Sequence, residues 1–419
     1  MDKNLEVVTF GCRLNTYESE AMKEMAESVG LENAIIFNTC AVTAEAERQG
    51  RQAIRRARRD NPNAKVIVTG CAAQINPKLY ADMPEVDQVV GNLEKMEKST
   101  FEKIDEIPKI HVQDIMEIKE TAGHMVTSFD GISRAFVEIQ NGCNHRCTFC
   151  TIPFGRGNNR SVPMGVIVDQ VRQLVQSGFQ EIVFTGVDIT DYGSDLPGTP
   201  TMGQMTRRLL AQVPELKRLR LSSLDPIEVD EDTFHLIEHE PRLMPHFHIS
   251  LQAGHDMILK HMKRRHLRHH IIEFCERVRT VRPDAVFGAD IIVGFPTETE
   301  EMFEASLSIV DDCDLTYLHV FPYSPRPDTP AARMPQVTKS IIKERAKRLR
   351  NKSEEALEQY LQVQVGKTVS VLVENETTGR TDHYAVVKFS KLVTQKPGTV
   401  CAVRINDASK KHLIGEVIT

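Results

Sequence analysis

Short apolar runs alternate with amphipathic stretches through the first hundred residues. Glu6-Val7-Val8-Thr9-Phe10, Ala34-Ile35-Ile36-Phe37 and Lys65-Val66-Ile67-Val68-Thr69 read as strands, with Tyr17 to Val29 and Ala44 to Arg59 as the helices between them. Nearly continuous apolar strands separated by helices predict a parallel sheet covered on both faces. From about Arg134 the alternation resumes at a longer period. Ala135 to Ile139, Glu181 to Thr185, Arg218 to Leu221, His246 to Leu251, Val286 to Val293 and Thr316 to Phe321 read as six strands. Val166 to Gln176 and Thr299 to Asp311 are among the helices between them. Six β/α units predict an incomplete barrel, with its ligand face at the carboxyl ends of the strands. A charged helix, Lys339 to Leu361, follows an irregular connector around Arg326-Pro327 and Thr329-Pro330. After Gly366 the pattern becomes four short strands, Thr368 to Val373, His383 to Phe389, Thr399 to Arg404 and Leu413 to Val417. These predict a small β-barrel. The expected fold class is therefore α/β in three parts. Residues 1–108 form a parallel α/β domain, 129–360 a partial (β/α)6 barrel and 361–419 the small β-barrel.

Composition narrows the class. Of 419 residues, 41% are hydrophobic and 26% charged, as in soluble globular proteins. No stretch of about 18 apolar residues predicts a membrane span. The start, Met-Asp-Lys-Asn-Leu, lacks a charged-then-apolar signal pattern. A cytoplasmic location is expected, where clustered thiols read as metal ligands before disulfides. The net charge of -6 neither favours nor excludes nucleic acid, because local patches outweigh totals.

Cysteines carry the chemistry. Asn141 to Cys150 holds Cys143, Cys147 and Cys150 in a C-x3-C-x2-C spacing just past the first barrel strand. A [4Fe–4S] cube bound only by protein takes four thiolates. Three leave one iron open to a chelating ligand. The alternatives are a zinc knuckle, which needs a recruited fourth ligand, and a set of buried free thiols. In the first domain, Cys12, Cys40 and Cys71 each lie one to three residues past a strand. Strand ends of an open parallel sheet share one edge, where ligands bind. Three distant thiols are thereby expected to converge as a second three-cysteine site. Gly11 and Gly70 beside them permit close backbone approach. Polar groups at the barrel's other strand ends, Gly186, Asp188, Ser222, Gln252 and Asp290, are candidates to bind a polar cofactor. Cys275, Cys313 and Cys401 fit no such pattern and are expected to be buried apolar thiols.

Basic runs suggest a polyanionic partner. Arg48, Arg51, Arg55, Arg56, Arg58 and Arg59 crowd the second helix. Lys260, Lys263, Arg264, Arg265 and Arg268 follow a barrel strand, with His266, His269 and His270 among them as expected surface residues. From Gly366 to Thr419 there are eight Lys+Arg against five acids. Such clusters suit phosphate recognition, and a solvated helix face is the competing reading.

These motifs resemble the radical S-adenosylmethionine (SAM) methylthiotransferase family. Thr9 to Asn15, Asn38 to Thr43 and Thr69 to Gln74 are similar to its cluster-binding domain. Asn141 to Pro153 is similar to its radical SAM loop, and His248 to Gly254 and Asp290 to Pro296 to its barrel motifs. The small β-barrel resembles its TRAM module, which is associated with RNA. Tyr17-Glu18-Ser19-Glu20 and Arg55 to Arg59 look most like the branch acting on N6-threonylcarbamoyladenosine. The resemblance implies two [4Fe–4S] clusters, one on Cys143, Cys147 and Cys150 and the other on Cys12, Cys40 and Cys71. It implies SAM as cofactor, cleaved to a 5′-deoxyadenosyl radical that takes the hydrogen from C2 of the base. A methylthio group then goes onto C2 at position 37 of the tRNA anticodon stem-loop. It also implies an electron donor such as flavodoxin or ferredoxin. Asn158 and Asn159 stand where charged residues are common in the family, and Ala253 where serine is frequent. Related possibilities are methylthiolation of isopentenyladenosine in tRNA or of a ribosomal protein aspartate. A non-enzymatic iron–sulfur RNA-binding protein or sensor is a further one.

Overall fold

The computed structural model describes residues 5–119 and 133–418, so positions 129–132 of the expected barrel domain lie outside the described residues. The first domain contains β1 (Leu5–Thr9), α1 (Arg13–Ser28), β2 (Ala34–Thr39), α2 (Ala44–Asp60), β3 (Lys65–Gly70), α3 (Cys71–Ile75), α4 (Pro77–Ala81), β4 (Gln88–Val90), α5 (Lys98–Glu102) and β5 (Ile110–His111). Its five strands make one parallel sheet in chain order. The last strand lies wholly beyond residue 108. Alternation along β2 and β3 splits the core in two. Ile35, Phe37, Val66 and Val68 pack with Ile54 and Tyr80 on one face, and Ile36 and Ile67 with Met22 and Phe101 on the other. Every residue of β2 is buried for that reason.

Helix α1 is apolar on two sides. Met22 and Ala26 cover the sheet, whereas Leu14, Tyr17 and Ala21 enter the core of the second domain. Each fully buried large side chain contributes roughly 1.5–3 kcal/mol. This helix therefore fixes the orientation of one domain on the other.

The second domain runs through β6 (Ala135–Glu138), β7 (Gln140–Asn141), α6 (Ile152–Arg156), β8 (Arg160–Ser161), α7 (Met164–Gln176), β9 (Glu181–Thr185), α8 (Met202–Gln212), β10 (Arg218–Arg220) and β11 (Ser223–Leu224). It continues with α9 (Glu231–His239), β12 (His246–Gln252), α10 (Asp256–His261), α11 (Arg268–Val281), β13 (Val286–Val293), α12 (Glu300–Asp312), β14 (Leu315–Pro322) and α13 (Lys339–Gln362). Parallel pairing gives two arcs, β6-β9-β10 and β11-β12-β13-β14, bridged between Leu219 and Leu243. The expected third barrel strand is broken at Leu221 and Ser222, which separate β10 from β11. The six β/α units are as expected.

The third domain is a closed barrel of β15 (Thr368–Val373), β16 (Thr378–Thr381), β17 (Val386–Phe389), β18 (Val400–Ala408) and β19 (Leu413–Val417), around Val371, Val387, Val403, Ile405 and Leu413. The sequence pattern misses β16, whose Thr-Gly-Arg-Thr has no apolar residue. It also starts β17 too early, because Tyr384 sits at φ 73° in a turn. This barrel docks on the amino-terminal ends of the second domain's strands, opposite the cysteine loop. Buried Glu181 pairs with Arg220 at 2.8 Å, Arg134 at 3.2 Å and Arg218 at 3.3 Å. Arg220 donates onward to the carbonyls of Thr381 and Asp382, both at 2.8 Å.

Candidate functional site

Parallel register brings the first three thiols together. Thr9 lies opposite Asn38, and Thr39 opposite Gly70, so β1, β2 and β3 end side by side. Cys12 caps α1, Cys40 follows β2 and Cys71 opens α3. Gly11, at φ 104°, has no room for a side chain: a Cβ there would stand 2.9 Å from Cys40 Cβ. Asn15 ties the loops together. Its Nδ2 donates to Phe10 O at 2.6 Å and Thr39 O at 3.2 Å, and the Cys12 thiol lies 3.8 Å from its Oδ1.

The barrel thiols rest on a loop pinned at its base by the antiparallel β7–β8 ribbon. Gly142, at φ 72°, turns the chain, and Cys143 N donates to Gly157 O at 3.1 Å. The His145 and Ile152 amides lie 3.3 and 3.4 Å from the sulfurs of Cys143 and Cys150. Arg264 approaches Cys147 Sγ at 3.8 Å and is held by Asp225 at 2.9 Å and Ser250 O at 3.0 Å. His145 Nε2 lies 3.3 Å from Asp188 and 3.2 Å from Glu228.

Electrostatics distinguish the thiols. Burial pushes Cys40 and Cys150 up to about 12 and raises Cys143. Cys12 is exposed to the cavity, yet its surroundings also push it up by desolvation. At Cys147 burial is outweighed by the His145 hydrogen bond and the Arg264 charge, and the thiol falls below its ordinary value. A thiolate is the form that binds metal. Cations near Cys147 therefore favour ligand formation, and metal supplies the missing charge at the others.

All six cysteines line one cavity of about 370 Å³, with Gly186, Asp188, Gln252 and Asp290 among its other walls. Of the five proposed cofactor contacts, Ser222 is the correction. It falls in the break between β10 and β11 and is not among the residues lining the cavity, whereas Ser223 is. Asp290 accepts from His248 at 2.9 Å and His319 at 3.0 Å on neighbouring strands. Burial opposes these two hydrogen bonds, but they win and hold the carboxyl well below its usual range. The donor chemistry fits the implied groups: two sets of three thiols line a common space, and each set would hold one cluster.

Other expectations change with tertiary context. His266 is fully buried, 3.3 Å from Asp225, because Asp225 and Leu251 O need a partner there; it is not a surface residue. Arg264, Arg265 and Arg268 bind Asp225, Glu228 and Asp312, which leaves that run largely structural. In α2, Arg58 is tied to Asp87 and to backbone carbonyls. Arg55, Arg56 and Arg59 stay mostly exposed. Cys275 and Cys313 are buried in the barrel core, and Cys401 sits on β18. Replacing all three by alanine is expected to leave iron content unchanged in anaerobically reconstituted protein. Loss of about four irons, one [4Fe–4S] cluster, from a folded variant contradicts this.

Comparison with known proteins agrees with these features. The Radical SAM superfamily matches residues 137–310 and the uncharacterized protein family UPF0004 matches residues 4–91. A threonylcarbamoyladenosine tRNA methylthiotransferase, MtaB, of Rickettsia prowazekii is 57% identical over 92% of this chain and 91% of its own. The protein of the same name from Aquifex aeolicus is 37% identical over 91% and 95%. A tRNA-2-methylthio-N(6)-dimethylallyladenosine synthase of Streptomyces viridosporus is 32% identical over 99% and 87%. Among solved structures, the radical SAM methyltransferase TsrM of Kitasatospora setae shares the fold at TM-score 0.57 with 14% identity, covering 79% of this chain and 77% of that one. No described helix is long and apolar enough to cross a membrane.

Proposed function

The chain belongs to the radical SAM tRNA methylthiotransferases, and on that premise we propose that its substrate is N6-threonylcarbamoyladenosine at tRNA position 37, methylthiolated at C2. The observation that carries the reading is the single cavity walled by both cysteine triads. Cys143, Cys147 and Cys150 would hold the cluster that meets SAM, and Cys12, Cys40 and Cys71 would hold a second one. When bound, these groups supply reductive cleavage of SAM and donation of sulfur. The protein's own work is placement. Gly186, Asp188, Gln252 and Asp290 orient SAM from the strand ends, and Asp290 stays ionised between two imidazoles to accept a hydrogen bond. Phe149, Ile152 and Phe321 give the cavity apolar walls that shield a reactive intermediate from water. The difference between 57% and 32% identity favours the threonylcarbamoyl branch over the dimethylallyl one. A cytoplasmic enzyme drawing electrons from flavodoxin or ferredoxin completes the reading.

Mass spectrometry of tRNA nucleosides from a deletion strain tests it. The 2-methylthio form of N6-threonylcarbamoyladenosine should vanish and return on complementation. Persistence of that species, with loss of a methylthiolated isopentenyladenosine or of a modified ribosomal protein, assigns the sister activity.

The tRNA is held on exposed cations. Arg55, Arg56 and Arg59 have side-chain exposures of 58%, 77% and 74%, and their acidic neighbours are surface partners worth little. Lys367, Lys388, Lys391, Lys396, Arg404, Lys410 and Lys411 are exposed on the C-terminal barrel. Reversing Arg55, Arg56 and Arg59 to glutamate should weaken tRNA binding and flatten its salt dependence, because fewer counterions are released. SAM cleavage without tRNA should hardly change. An unaltered salt slope would place the RNA elsewhere.

A further inference from the structure

Arg156 belongs by sequence to the barrel's cysteine loop, yet it is spent at the other site. It is buried and lines the cavity beside Cys12, Cys40 and Cys71. Its guanidinium donates to Asn15 Oδ1 at 2.6 Å and to the two Glu18 oxygens at 2.8 and 2.9 Å. Asn15 is the residue against the Cys12 thiol. The position is built rather than incidental. Helix α6 sits on α3, where a Cβ on Gly155 would stand 3.1 Å from Cys71 Cβ. Asn92 Nδ2 clamps the two, 2.5 Å from Gly155 O and 3.8 Å from Cys71 Sγ.

Charge around Arg156 does not cancel. Glu18 is shared with fully buried Lys95, whose Nζ is 2.7 Å away, so two cations meet one carboxylate. Glu138 is buried as well, and desolvation followed by the Glu18 charge raises its carboxyl, which weakens the compensation it offers. A buried cation without full compensation is costly. The thiol triad is where negative charge arrives when the ligands deprotonate.

We propose that Arg156 is a positioning residue of the Cys12–Cys40–Cys71 site, whose buried charge favours the electron-rich form of the cluster held there and so sets its reduction potential. The inference rests on the reading that these three cysteines bind a cluster. It makes the stretch from Cys143 to Arg156 a shared wall: one segment would ligate the first cluster and tune the second.

The test uses the full chain with Cys143, Cys147 and Cys150 replaced by alanine, reconstituted anaerobically, so that only the second cluster remains. Dithionite with mediators supplies the single electron, and electron paramagnetic resonance reads the reduced fraction. Arg156→Gln should favour the oxidised form at least tenfold, a shift of about 59 mV to lower potential for one electron. Glu18→Gln removes the opposing charge and should move the potential the other way. Arg156→Lys should keep most of the wild-type value. General structural damage moves all variants in one direction, so the sign reversal is the diagnostic. Shifts of the same sign, or none with iron retained, overturn the inference alone. Absence of iron from the background variant overturns the cluster assignment and this inference with it. Should Arg156→Gln lose its iron, Glu18→Gln and Arg156→Lys still decide by sign and size.

Discussion

Cys12→Ala is expected to abolish methylthiolation while leaving reductive cleavage of SAM to 5′-deoxyadenosine, and Cys147→Ala to abolish both. The two residues face one cavity from different domains. Cys12 lies in a cage made by Asn15, Cys40 and the first sheet. Cys147 lies under Arg264 and next to His145, the cations that favour its thiolate. The strand ends proposed to orient SAM belong to the barrel, and none to the first domain. Removing Cys12 therefore damages the sulfur side and spares the SAM side. Anaerobic reconstitution should give about eight irons per chain and about four in the triple variant of Cys143, Cys147 and Cys150. Equal loss of SAM cleavage in the two single variants removes the division of labour.

The six ligand candidates were legible in the sequence for a structural reason. Strand–helix alternation names the strand ends, and parallel pairing puts the ends of β1, β2 and β3 on one edge, so Cys12, Cys40 and Cys71 meet without any further information. The same logic fails where the strand itself is irregular. The break between β10 and β11 hands a cavity position from Ser222 to Ser223, and no period-2 pattern reports a break. Long-range ion pairs were hidden more deeply. Nothing in the sequence pairs Glu18 with Arg156, and both are buried only where α1 packs against the barrel. Arg264 and His266 were lost inside a basic run, where composition suggested solvent and Asp225 draws both inward. The buried arginines at β10 carried a signal: Arg218 and Arg220 alternate with Leu219 in a strand that a barrel should make apolar. Such polar strand residues announce either a lumen or an interface, and here they serve the docking of the C-terminal barrel.

That docking predicts the second large effect, on stability. Glu181→Ala should destabilise the chain by about 3 kcal/mol, because removing one partner of a buried ion pair leaves its cations desolvated and uncompensated. Three arginines converge on this carboxylate. The cost falls toward the lower part of the usual range because Arg218 keeps Asp382 and Arg220 keeps two carbonyls. By contrast, Glu231→Ala breaks an exposed pair with Arg277 and should leave melting nearly unchanged. The sign with pH follows from the direction of the shift. Burial raises the Glu181 carboxyl, but the Arg220 and Arg134 charges outweigh it and hold it below its ordinary value. Its contribution is therefore fully present above about pH 4.3, the unfolded value. It is lost as pH falls through the depressed native value. Thermal melting of the two variants at neutral pH, with limited proteolysis of the junction after α13, checks the prediction. Glu181→Ala should melt earlier and release the C-terminal barrel to protease. Identical melting and cleavage in the two variants would show that the barrel is held by its other contacts and that the buried cluster at Glu181 is dispensable.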